Sequence, residues 1–165
     1  MATKKGIIIT VLILAVISGA SFAVWIIPQN HGLSVVVTDY KNELDSIKER
    51  HLLISTTIES NLKRLEDKSM SPNEFINQTQ VSSSQITSLI SETIESNAPT
   101  EWKQSYGAYL ESLKKYNDYL SEIILFANKM KNGISTSELN DEMTKLDSLK
   151  KESDALVTKS DQTRP

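Results

Sequence analysis

Apolar residues along this chain form one unbroken run followed by four periodic stripes. The run extends from Gly6 to Ile27 without a charged residue. Beyond it, Tyr40, Leu44, Ile47, His51, Ile54 and Ile58 recur at alternating steps of four and three, and the stripe then shifts through Leu62 to Leu65. Such spacing places one apolar seam along a long helix. The register reaches back through Val37 and Leu33, which allows a start as early as Ser34. The β-branched run Val35, Val36 and Val37 argues against so early a start.

Three further helices follow. Ser71, Pro72 and Glu74 supply a cap, a first-turn proline and the partner for a capping box. Phe75, Thr79, Ser82, Ile86, Leu89 and Thr93 then repeat the stripe, widened by Ile76, Ile90 and Ile94 and thinned at Ser82 to Ser84, until Asn97, Ala98 and Pro99 stop it. Thr100 is the expected cap of a third helix, whose seam is Trp102, Tyr106, Tyr109, Leu113, Tyr116, Leu120, Ile123, Ala127 and Met130. Asn132 and Gly133 end it. Ser135 with Glu138 predicts a second capping box, and Ile134 with Leu139 a hydrophobic staple, ahead of a fourth helix through Met143, Leu146, Leu149 and Leu156.

Four amphipathic helices joined by short turns predict an all-α fold, most simply an antiparallel four-helix bundle. Extended helical hairpins that pair as a coiled coil satisfy the same 3.5-residue average. The expected organisation is a cytoplasmic N-terminus over 1–5, a transmembrane helix over 6–27, a junction over 28–37, an extracytoplasmic bundle over 38–158 and a disordered tail over 159–165.

The run over 6–27 is long enough to cross a bilayer: about 22 helical residues span roughly 33 Å against a hydrocarbon core of about 30 Å. Lys4 and Lys5 precede it and the next basic residue beyond it is Lys41, so the positive-inside bias keeps the N-terminus in the cytoplasm and exports the rest. Trp25 stands where an interfacial aromatic belongs. A cleaved signal peptide is the main rival, with small residues at Ser18-Gly19-Ala20 and Ser21-Phe22-Ala23, but the run continues through Val24 to Ile27, and that length favours an uncut signal anchor. A third reading takes Lys5-Gly6-Ile7-Ile8 as a prepilin-type cleavage site ahead of a pilin-like stem. Pilin heads are sheet-rich, whereas this chain reads as helix.

Composition narrows the chemistry. With 18 basic against 21 acidic residues the net charge is −3, and the exported part, without Lys4 and Lys5, is more acidic still. That sign argues against a nucleic-acid partner. Cysteine is absent, which removes disulfides, thiolate metal sites and thiol nucleophiles. Di-iron bundles use Glu-x-x-His, but Lys48 stands three residues before His51, and one histidine on a seam makes no metal site. His51 reads as a core residue with a buried hydrogen bond, and His31 as solvent-facing. No metalloprotease, phosphate-loop or nucleophile-elbow motif is present, so neither an enzyme nor a cofactor is expected.

The unusual feature is aromatic clustering on the third helix: Trp102, Tyr106, Tyr109, Tyr116 and Tyr119. Tyrosine and tryptophan combine apolar area with a polar tip, which suits a partner or ligand surface. The helical spacing of the first four equally suits core packing, and Tyr119, off the seam, is the better interface candidate. Asn77-Gln78-Thr79 matches a glycosylation sequon.

The head from Lys4-Lys5-Gly6-Ile7 through Trp25-Ile26-Ile27-Pro28-Gln29 resembles the start of small, uncharacterised single-pass membrane proteins of ammonia-oxidising archaea. The resemblance covers about a sixth of the chain and implies an archaeal envelope and an accessory role in a membrane complex such as an ammonia monooxygenase. The leading expectation is a non-enzymatic structural or accessory subunit with the lipid bilayer and a membrane protein as partners, and with homo-oligomers allowed by the seams. The alternatives are an extracytoplasmic ligand-binding sensor, similar in layout to four-helix-bundle chemoreceptor domains, and a pilin-like or secreted helical protein.

Overall fold

The structure, a computed structural model, describes residues 39–133 and 135–165, the side chain of Thr136 excepted. The predicted anchor over 6–27, Lys4, Lys5, Trp25, His31 and the staple residue Ile134 lie outside the described residues. Among the described residues no helix is long and apolar enough to cross a membrane.

Four helices form one compact unit: α1 (Tyr40–Glu66), α2 (Pro72–Glu95), α3 (Lys103–Asn132) and α4 (Thr136–Gln162). Their boundaries follow local chemistry. Asp39 caps α1 by accepting from the Asn42 amide at 3.0 Å, which places the start two residues after the β-branched run. Ser71 caps α2 by accepting from the Glu74 amide at 3.2 Å, with Pro72 at its first position. The reciprocal capping box closes only at α4, where Ser135 accepts from the Glu138 amide and the Glu138 carboxylate accepts from the Ser135 amide. Asn97 (φ 49°) and Gly133 (φ 88°) adopt the left-handed backbone at the breaks after α2 and α3. The expected Thr100 cap is not used. The amides of Trp102 and Lys103 instead donate to the Pro99 carbonyl, and α3 begins at Lys103 without a side-chain cap.

Cross-contacts show that the helices run up, down, up, down. Asn61 and Arg50 of α1 meet Gln78 and Glu92 of α2 in reversed order, and Ser105 and Ser112 of α3 meet Ser160 and Ser153 of α4 likewise. One core joins the helices, with Leu44, Ile47, Ile58, Phe75, Ile86, Leu113, Leu120 and Ile123 fully buried. Phe75, Thr79, Ser82, Ile86, Leu89 and Thr93 are the buried set of α2, as their spacing predicts, whereas Ile94, read as widening that stripe, is 58% exposed.

α3 is buried over far more of its circumference than one seam. A second stripe, Ser105, Ser112, Tyr119 and Phe126, recurs every seven residues and faces α4, whose buried positions Leu146, Ser153 and Ser160 have the same spacing. Ser105 and Ser160 hydroxyls lie 3.2 Å apart, and Ser153 donates to the Ser112 carbonyl at 3.0 Å. Small side chains let these two backbones approach closely while their hydroxyls stay satisfied. We expect Ser153→Leu to destabilise the bundle by about 1–3 kcal/mol, read as a lower urea midpoint, because the added volume has nowhere to go. Ser153→Ala should cost no more than about 0.5–1.5 kcal/mol, the net worth of one hydrogen bond.

The same ladder corrects the expected tail. Residues beyond 159 are not disordered: α4 runs to Gln162, Ser160 is 0% exposed, and Arg164 pairs with Asp45 at 2.7 Å and Asp161 at 2.8 Å. Hydropathy misses this segment because its anchors are a serine and an arginine.

Candidate functional site

Close backbone approach runs along consecutive helices, α1 with α2, α2 with α3 and α3 with α4. α1 and α4 close the ring differently. Their backbones stay further apart, and charged side chains tie them together: Lys48 to Asp161 at 2.7 Å, Arg164 to Asp45 at 2.7 Å, and Lys150 to Glu59 at 3.1 Å. Two grooves lie on this flank. One, of about 300 Å³, is lined by Lys48, His51, Ser55, Tyr109, Asp154 and Val157 among others. The second, of about 540 Å³, has Tyr119 and Leu146 at its base and Glu59, Leu62, Met143 and Lys150 along its walls.

The tyrosines of α3 form the floor beneath this flank. Tyr106, Tyr109, Tyr116 and Tyr119 are all buried, so they do not make an exposed partner surface. Tyr119, expected to be the most interface-like, is only 3% exposed because it belongs to the α4-facing stripe. Trp102 is half-buried and packs edge-on against Tyr106, with ring centroids 6.2 Å apart. The Tyr106 hydroxyl lies 2.8 Å from the Tyr40 carbonyl and 2.7 Å from the Glu43 carboxylate, tying the start of α3 to the start of α1.

His51 occupies the centre. Its Nδ1 lies 3.0 Å from the Tyr109 hydroxyl, and its ring packs edge-on against Tyr109 and Tyr116 at centroid separations of 5.9 and 4.6 Å. The buried hydrogen bond expected of a core histidine is present. The bond uses only one of the two nitrogens. His51 Nε2 and the Tyr116 hydroxyl are buried with no hydrogen-bond partner, an arrangement that costs about 1–3 kcal/mol for each group left unpaired. Burial pulls the His51 pKa down to about 4, with Asp154 opposing and Lys150 reinforcing that shift, so the ring is neutral at pH 7. Burial likewise raises the Tyr116 pKa; the Ser55 hydroxyl tempers that rise without standing in hydrogen-bonding geometry. Tyr119 is pushed up to about 12, again mainly by burial.

At the groove mouth Lys48 Nζ sits 5.1 Å from the centre of the Tyr109 ring, a cation–π distance. Partial burial lowers the Lys48 pKa, and the bond to Asp161 opposes that effect. The Arg164 guanidinium holds Asp45 below the usual carboxylate range. Among the described residues no group of three or more His, Asp or Glu side chains is placed to hold a metal ion.

Asn77 is exposed on α2, but the Thr79 of its sequon is fully buried and donates to the Phe75 carbonyl at 2.9 Å. The sequon is therefore helical and its hydroxyl already committed, unlike the surface loop that a glycosylation acceptor occupies. Comparison with known protein families, curated proteins and solved structures finds no match to this chain.

Sequence reasoning finds His51 and the four tyrosines but not the groove they underlie. The missed partners are Lys48, Asp154, Asp161 and Arg164, all charged residues that a search for apolar seams discards. The seven-residue spacing of the α3 and α4 serines is the signal that could have revealed how closely these helices pair.

Proposed function

We propose that this protein is a non-enzymatic accessory or structural subunit of a membrane protein complex, held by a single-pass anchor over 6–27, with the bundle on the extracytoplasmic side of an archaeal-type envelope. The observation that carries the partner reading is an uncharged stripe on the α1/α2 flank. Leu53 is 69% exposed and Val81 61% exposed. They line a shallow groove of about 330 Å³ with Thr57, Gln78, Ser82 and Gln85. The stripe lies between the Arg50–Glu92 ion pair, 2.5 Å long, and Arg64.

Charge depletion with exposed aliphatic side chains is the composition of an interface core ringed by a polar rim. A tether strengthens such a contact by raising local concentration, so modest affinity on this flank is enough. The lysines ahead of the uncharged run support the orientation.

Gentle detergent extraction, affinity recovery of the full-length chain and intact-mass analysis of what accompanies it test the proposal. We expect the chain to keep its head and to bring stoichiometric membrane proteins with it. The double substitution Leu53→Asp with Val81→Asp should release those partners at least about tenfold while leaving helicity unchanged, since both side chains are largely solvated. Recovery of a lone chain lacking its first 20 or so residues would overturn the anchor.

A further inference from the structure

The α1/α4 flank holds an unspent hydrogen bond beneath a groove. Either ring tautomer fits the 3.0 Å contact between His51 Nδ1 and the Tyr109 hydroxyl; Tyr109 has no other acceptor among the described residues, so donation from its hydroxyl to Nδ1 is the arrangement that leaves the fewest buried groups unpaired. In a neutral imidazole that leaves the proton on Nε2. Nε2 is the nitrogen without a partner, and His51 lines the groove of about 300 Å³. A buried donor with nothing to donate to calls for an acceptor from outside the fold.

The groove also states what kind of molecule carries that acceptor. Leu52, Val157 and the Tyr109 ring supply apolar wall. Its one cation, Lys48, is already matched by Asp161, and the Asp154 carboxylate in its wall is matched by Lys150. An anionic ligand would have to give up its hydration without a free counter-charge, so an uncharged one is favoured. We propose that this flank binds a small uncharged molecule with an apolar or aromatic body and a carbonyl-type oxygen, which accepts the hydrogen bond of His51 Nε2. Sites of this kind, mostly apolar with one or two placed polar groups, occur between the helices of bundles.

Nε2 is sealed from solvent in the closed flank, so the molecule reaches it when α1 and α4 part. The flank is suited to that motion. Two of the three cross-ties have one end about half exposed, Asp161 at 52% and Glu59 at 47%, and such pairs contribute little stability.

The inference does not depend on the anchor or on a protein partner, since every group lies within 39–165. Its test uses the full-length chain in lipid nanodiscs, labelled with 15N at histidine, so that only His31 and His51 report. Acetophenone and ethylbenzene serve as probes of matched shape that differ in the carbonyl, with concentrations corrected for partitioning into lipid. The free protein should show His51 protonated at Nε2. Acetophenone should shift that resonance saturably and bind about two- to tenfold more tightly than ethylbenzene, the ratio that one hydrogen bond supplies.

His51→Phe should bring the two probes to equal affinity. Equal binding in the unsubstituted protein overturns the proposal. So does an Nε2 resonance that neither probe moves, which would assign the donor to a buried water. If His51→Phe does not fold, the tautomer and the response of Nε2 in the unsubstituted chain decide the matter by themselves.

Discussion

Leu113→Asp is expected to abolish the cooperative unfolding transition of the bundle. Leu113 is 0% exposed and sits about a third of the way along α3, the helix that packs closely on α2 and α4 and whose tyrosines also meet α1. A carboxylate placed there has no cation to meet. Leaving a charge buried and unpaired costs several kcal/mol, and a small domain has only about 5–15 kcal/mol in total. Circular dichroism should show reduced helicity and a broad, non-cooperative melt. Leu113→Ala should retain the transition but lose about 2–5 kcal/mol. Lys114→Asp, one residue along and exposed, should change stability by no more than about 0.5 kcal/mol. A Leu113→Asp protein that melts like the unsubstituted chain would remove Leu113 from the core.

Acidification from pH 7 to pH 4 is expected to destabilise the bundle by about 3 kcal/mol through His51. The ring titrates at about 4 in the folded chain against 6.5 for a free side chain. Between these values the unfolded chain binds the extra proton and the folded chain does not. Stability from this group is therefore fully present above pH 6.5, falls as pH drops through the window and is gone below about 4. Asp154 and Lys150 of α4 are the charges that act on the ring, and each partly offsets the other. Urea midpoints measured at half-unit pH steps should trace the decline. His51→Gln should flatten it while keeping a polar group beside Tyr109. Carboxylates contribute lower down, where Asp45, held by Arg164, begins to protonate. An unchanged slope in His51→Gln would mean that another group carries the pH dependence.

Much of the bundle was legible from residue order. The α1 and α2 stripes, the ends of α2 at Pro72 and of α3 at Gly133, and the Ser135–Glu138 capping box depend on neighbours within one or two helical turns. Misreadings came where a neighbouring turn or a distant group competes with the local signal. Thr100 is a good cap residue, yet the turn around Pro99 satisfies the same amides first. The last residues look like a polar tail, yet Ser160 finds Ser105 and Arg164 finds Asp45, both far away in sequence. Tyr119 looks peripheral when α3 is given one seam and is buried once α3 carries a second.

By itself the sequence determined that residues 39–165, as far as they are described, are helical, how many helices they form and which stripe of each is apolar, because periodicity and capping act over a few residues. Only the tertiary structure decided that α3 is enclosed on several sides, that serines draw α4 against it, and that α1 and α4 are joined by ion pairs over a groove with His51 at its base. The reason is geometric. Which charges meet across a flank, and which buried nitrogen is left without a partner, depends on helix order and separation, and neither is encoded in the period of a single helix.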